Sequence, residues 1–139
     1  MLIPRYAPKK ATKENHVKKK LKVVVSDRNP NVRELLKREM IKEGHRVLIA
    51  RNARELQNLV CQHKNVNILI LDPNLAYLNE VNIYEKINSR TSPILLIIHS
   101  FPYNNNRNAF PNNTLYVEKG ENSIEQIKME INKSLKYEN

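Results

Sequence analysis

Four runs of branched aliphatic residues in this chain are each followed directly by polar side chains able to do chemistry. Asp27 and Arg28 follow LKVVVS at 21–26, and Asp72 and Asn74 follow ILIL at 68–71. His99 and Ser100 follow ILLII at 94–98, and Lys119 stands just past LYV at 115–117. Two carboxylates, a hydroxyl and an ammonium in one crevice suit phosphoryl chemistry. A carboxylate can accept a phosphoryl group as an acyl phosphate. Positive groups must then neutralise the added charge, and a hydroxyl can hydrogen-bond a phosphoryl oxygen. These residues are far apart in sequence, so the chemistry requires a fold that brings the four run ends to one edge.

The runs have the character of such a fold. A short, continuous apolar stretch such as Ile68–Leu71 predicts a strand buried on both faces, typical of a parallel sheet covered by helices. Pro73 stops it, because proline lacks the N–H that a ladder needs. Asp72 thereby falls at the carboxyl end of a central strand, where open α/β sheets bind their ligands. Pro30 is placed to open a helix carrying Val32, Leu35, Leu36, Met40 and Ile41, which Gly44 closes. HRVLIA at 45–50 is a second strand, and Asn52 can cap a helix with Leu56, Leu59 and Val60 on one face. A helix of about ten residues is expected from Leu78, with Val81, Ile83, Tyr84 and Ile87 as its apolar positions. Residues 101–113 are rich in asparagine and hold Pro102 and Pro111, so any helix there is short. Asn122 or Ser123 caps a last helix with Ile124, Ile127, Ile131 and Leu135 in one stripe. Alternating βα units imply right-handed crossovers. The expected fold is an α/β flavodoxin-like three-layer sandwich, with a five-stranded parallel sheet in the order 2-1-3-4-5.

Composition narrows the function. With only Gly44 and Gly120 in 139 residues, the chain holds no GxGxxG, Walker A loop or GxSxG, which removes dinucleotide, P-loop and serine-hydrolase readings. No apolar run approaches the ~18 residues of a membrane span, and no charged-then-apolar leader opens the chain. The single Cys61 fits a reducing compartment, and free cysteine is usually buried on its helix. The histidines show no zinc-ligand spacing. A cytoplasmic protein is expected. Residues 1–20 carry seven of the lysines and arginines against Glu14 alone, six of the ten net positive charges. This stretch is expected to be a basic, disordered N-terminal tail on a domain spanning 21–139. Such an arm could bind nucleic acid by counterion release, but the near absence of interleaved aromatics argues against it.

The segments VVVSDRNPNVRELLKREM, ILILDPNL, PILLIIHS and LYVEKG, in this order and spacing, resemble the receiver domain of two-component response regulators, including single-domain chemotaxis-type ones. The resemblance covers residues 21–137. It implies that Asp72 is the phosphoacceptor and that Mg2+ is held by Asp27, Asp72 and the Asn74 carbonyl. It implies that Ser100 turns toward the phosphoryl group, though two residues farther from Pro93 than usual. It implies that Lys119 pairs with a phosphoryl oxygen and that Tyr116 is the switch aromatic, although Tyr116 is more simply a core residue. The implied donor is a histidine kinase or phosphotransfer protein, and the implied output is a protein–protein contact rather than an enzyme reaction. No membrane insertion is implied.

Departures from the family pattern bear on that chemistry. Arg28 stands where a second acidic residue would contact Mg2+, and a hard cation gains nothing from a guanidinium. Gly120 replaces a proline after Lys119, Ala76 and Glu80 replace a turn proline and glycine, and 101–113 is shorter than the family's fourth helix. Two mechanisms follow. Asp72 is phosphorylated with weakly held Mg2+, in a single-domain response regulator of a phosphorelay. Or Arg28 folds over Asp72, holds it ionised and replaces the metal, in a pseudo-receiver adaptor that works without phosphorylation. A nucleic-acid binder driven by the basic tail is a third possibility.

Overall fold

The computed structural model describes residues 20–102 and 110–136. The expected tail therefore lies outside the described residues up to position 19, as does most of the asparagine-rich segment.

Five strands, β1 (Lys22–Ser26), β2 (Arg46–Ala50), β3 (Ile68–Leu71), β4 (Leu95–Ser100) and β5 (Leu115–Glu118), form one sheet in the order β2-β1-β3-β4-β5. Every neighbouring pair is parallel. The expected strand order is thus observed. Because side chains alternate across a strand, the sheet builds two cores. Val24, Leu69, Leu71, Leu96 and Ile98 pack with α2 (Ala53–Gln62) and α3 (Ile83–Asn88) on one face. Val23, Val25, Ile68, Ile70, Ile97 and Val117 pack with α1 (Pro30–Lys42) and α4 (Ser123–Lys136) on the other. No described helix is long and apolar enough to cross a membrane.

Local chemistry accounts for the helix starts. The Asn29 side chain accepts from the N–H of Asn31 at 2.9 Å, and Pro30 follows at the first helical position, where its missing N–H leaves nothing unpaired. Asn52 accepts from Glu55 N at 2.9 Å. The last helix is anchored differently. Ser123 Oγ donates to the Gly120 carbonyl and lies 2.9 Å from His99 Nε2. Since the hydroxyl proton is engaged, His99 Nε2 is the donor of that bond, which ties the start of α4 to β4.

Three expectations are corrected. The helix expected from Leu78 is split into a 3-10 turn, Leu78–Glu80, and the six-residue α3. Tyr77 enters the turn in the left-handed region at φ 68°, and Val81 is extended, so the chain leaves the helical path before Ile83. His99 and Ser100 do not follow β4 but belong to it, paired with Val117 and Glu118. Cys61 is exposed: the inward face of α2 is set by Ala53, Leu56 and Val60, and one residue beyond Val60 the helix has turned to solvent.

Two outcomes test this packing. Leu69→Ala, which empties a fully buried site, is expected to cost about 2–5 kcal/mol of unfolding free energy, whereas exposed Met129→Ala should shift it by only about 0.5 kcal/mol. Burial above all, with the Lys119 charge and against the pull of Asp72, pushes His99 down to about 4. The unfolded state then binds the His99 proton more readily, so this residue's contribution is complete above pH 6.5 and falls away as pH drops toward 4. His99→Gln keeps a donor for Ser123, so denaturant midpoints of wild type and variant should diverge less at pH 4 than at pH 7.

Candidate functional site

The register places the site. The chain reverses direction across the sheet between β1 and β3, which opens a crevice at their carboxyl ends. The last residue pair there is Ser26 with Leu71, so Asp27 and Asp72 stand side by side one step beyond it. On the other side of β3, Leu71 pairs with Ile98, which sets His99 level with Asp72. Lys119 is one step beyond the final β4–β5 pair, Ser100 with Glu118. Strand alternation gives Asp27, Asp72, His99 and Lys119 the same face, that of Val25, Ile70, Ile97 and Val117.

Both aspartates are held the same way. Asp27 Oδ1 accepts from Asn29 N, and Asp72 Oδ1 accepts from Asn74 N, each at 2.9 Å. These are Asx turns, in which a carboxylate binds the backbone two residues on. Leu75 N also donates to the Asp72 carbonyl, a turn in which Pro73 supplies the fixed φ of the second position. With each Oδ1 so engaged, Lys119 reaches the Oδ2 atoms. Its ammonium lies 3.0 Å from Asp27 Oδ2 and 3.6 Å from Asp72 Oδ2, and donates to Asp27 Oδ1 at 3.2 Å. The 3.0 Å contact is a charge contact without hydrogen-bond alignment. Side-chain exposure is 1% for each aspartate and 8% for Lys119. Desolvation, with the charge of Asp72, raises the Asp27 carboxyl above the usual range, opposed by its bonds to Asn29 and Lys119.

Arg28 completes the arrangement. Its backbone N–H donates to Asp72 Oδ2 at 3.1 Å, and its Nε lies 3.7 Å from the same oxygen. The guanidinium remains half in solvent, with 53% of the side chain exposed. Arg33 fixes the Asp27 backbone by donating to its carbonyl at 2.7 Å.

Asp27, Asn74, Asp72 and Lys119 are thus brought together, Asn74 through its backbone N–H. Ser100 and Tyr116 are set apart: by strand alternation both face the α2–α3 side with Ile98, opposite the carboxylates. Ser100 enters the surroundings through its carbonyl, which accepts from Lys119 N at 2.7 Å. Tyr116 packs against Phe110, their ring centroids 5.9 Å apart, and Phe110 meets Tyr84 edge-on at 5.1 Å. Phe101 was not singled out from the sequence. It is exposed, and its ring lies 5.2 Å from the Lys119 ammonium, a cation–π contact over the crevice. Its only sequence signal is an aromatic residue just past His99 and Ser100, three positions after an apolar run.

The site does not fit a tightly held Mg2+. No group of three or more His, Cys, Asp and Glu side chains suited to a metal occurs among the described residues. The two carboxylates are matched by two cations at 3.0–3.7 Å, on the same Oδ2 atoms a metal would need. A hard dication gains little where the local charge is already balanced.

No protein-family model matches this chain, and no curated protein matches its sequence. Solved structures do match in fold. A Francisella response regulator receiver domain superposes with a TM-score of 0.70 at 19% identity, over 86% of this chain and 99% of that one. The response regulator TrrA of Thermotoga maritima, solved in complex with Mg(2+)-BeF, gives 0.63 at 26% identity, over 81% and 97%. The receiver domain of a Saccharomyces cerevisiae response regulator, co-crystallised with a histidine phosphotransfer protein, gives 0.62 at 16%, over 81% and 86%. The parallel sheet in 2-1-3-4-5 order, with paired carboxylates and a lysine at its carboxyl edge, has the fold of the receiver domain of two-component response regulators.

Proposed function

We infer that this chain is a phosphorelay receiver in which Asp72 accepts a phosphoryl group from a histidine kinase or phosphotransfer protein. The observation that carries this reading is the buried Asp72 carboxylate with the Lys119 ammonium 3.6 Å from its Oδ2. The Asx turn on Oδ1 leaves Oδ2 directed at the crevice, as a nucleophile needs. Lys119 is placed to neutralise charge that grows on the transferred group. The co-crystal of the yeast neighbour with a phosphotransfer protein supports the class of donor. Output then passes to a downstream protein by contact.

A second reading, the pseudo-receiver adaptor, draws on the Arg28 Nε at 3.7 Å from Asp72 Oδ2. An attractive charge there lowers the nucleophilicity of the carboxylate as well as its affinity for metal.

Intact-mass measurement after incubation with acetyl phosphate and Mg2+ separates the two. The receiver reading expects one phosphoryl adduct on wild type and none on Asp72→Asn. An unmodified wild type, or an adduct that persists in Asp72→Asn, supports the adaptor instead. Lys119→Met is expected to lower the rate of adduct formation at least tenfold while leaving the far-ultraviolet circular dichroism unchanged.

A further inference from the structure

Phosphorylation of a carboxylate raises the negative charge of its pocket by one, and the incoming group brings three anionic or partly anionic oxygens. Something must balance them, and in this chain the residues that lie on the reacting oxygen are both cationic side chains. Lys119 approaches Asp72 Oδ2 from β5 at 3.6 Å, and Arg28 approaches it from the β1–α1 turn at 3.7 Å. They come from opposite sides of Asp72 in the sheet, since β1 and β4–β5 flank β3. Neither contact to Oδ2 is a hydrogen bond, so the Arg28 Nε–H and the Lys119 N–H groups not given to Asp27 can turn to a group placed between them. The Arg28 backbone N–H, 3.1 Å from Oδ2, adds a third donor at the same point.

We propose that Arg28 stands in for a divalent cation, so that Asp72 takes a phosphoryl group from small acyl phosphates without metal. This rests on the reading of Asp72 as acceptor and deepens it. In the step, a lone pair of Asp72 Oδ2 forms the new O–P bond as the P–O bond to acetate breaks. Acetate leaves with that electron pair, and no proton transfer or redox partner is required. The guanidinium presents a planar fork of donors to two phosphoryl oxygens, a geometry that an ammonium lacks. Its half-exposed position allows it to swing onto the arriving group, whereas Lys119 is buried and held by Asp27. Asp27 keeps Lys119 in place and leaves the pocket one charge short of neutral after transfer.

The test compares adduct formation from acetyl phosphate in excess EDTA and in excess Mg2+, by intact mass. Wild type is expected to form the adduct in EDTA at a rate within about threefold of that in Mg2+. Arg28→Gln should slow the EDTA reaction at least tenfold, and Arg28→Asp should react only when Mg2+ is added. An adduct on wild type that requires Mg2+ overturns the proposal while leaving Asp72 as acceptor, and so does an EDTA rate unchanged in Arg28→Gln. The absence of any adduct with or without Mg2+ overturns the acceptor reading itself, and with it this proposal. Far-ultraviolet circular dichroism of each variant confirms that the exposed substitutions leave the fold intact.

Discussion

The Lys119 ammonium, set against Asp27 and Asp72 at the carboxyl edge of the sheet, is the interaction on which the rest of the site depends. Two carboxylates at 1% exposure repel each other and lose their hydration. A buried cation 3.0 Å from one and 3.6 Å from the other offsets both. The rise of the Asp27 carboxyl, led by desolvation, shows that the compensation is incomplete there. Interior ion pairs contribute little to net stability, so a contribution to folding does not account for the cluster.

The fold maintains it through register. Ser26 opposite Leu71 and Leu71 opposite Ile98 set Asp27, Asp72 and His99 in one row on one face. A slip of one residue in any strand would send a member of that row to the other face. The two apolar cores fix the register, since the same alternation that buries Ile70 and Ile97 with α1 and α4 aims Asp72 and His99 to that side. His99 then carries the row into the last helix through Ser123.

Much of this was legible in the residues. The alternation of five strand-like runs, HRVLIA among them, with helical stretches pointed to the strand order, and the polar residues after four of the runs pointed to the partners Asp27, Asp72 and Lys119, because unbroken aliphatic runs have few alternatives in a chain of this size. The site at Ser100 was less legible. Where β4 ends depends on its pairing with β5, a tertiary property, and the ladder continues through His99 and Ser100. A residue expected in a loop thus became a strand residue, with its face set by alternation. The region after Leu75 was misjudged for a local reason, the left-handed Tyr77, whose ring lies under the Arg54 guanidinium at 3.8 Å. The Arg28 rotamer could not be read from spacing at all, because an exposed guanidinium is placed by its surroundings and not by its backbone.

In the proposed receiver, Asp72 Oδ2 is the reacting atom among these charges. Borohydride reduction of the acetyl-phosphate-treated protein, followed by peptide mass mapping, locates an acyl phosphate by converting that aspartate to homoserine. Homoserine at position 72 alone is the predicted result. No conversion at position 72, or conversion at Asp27 in its place, would contradict the account.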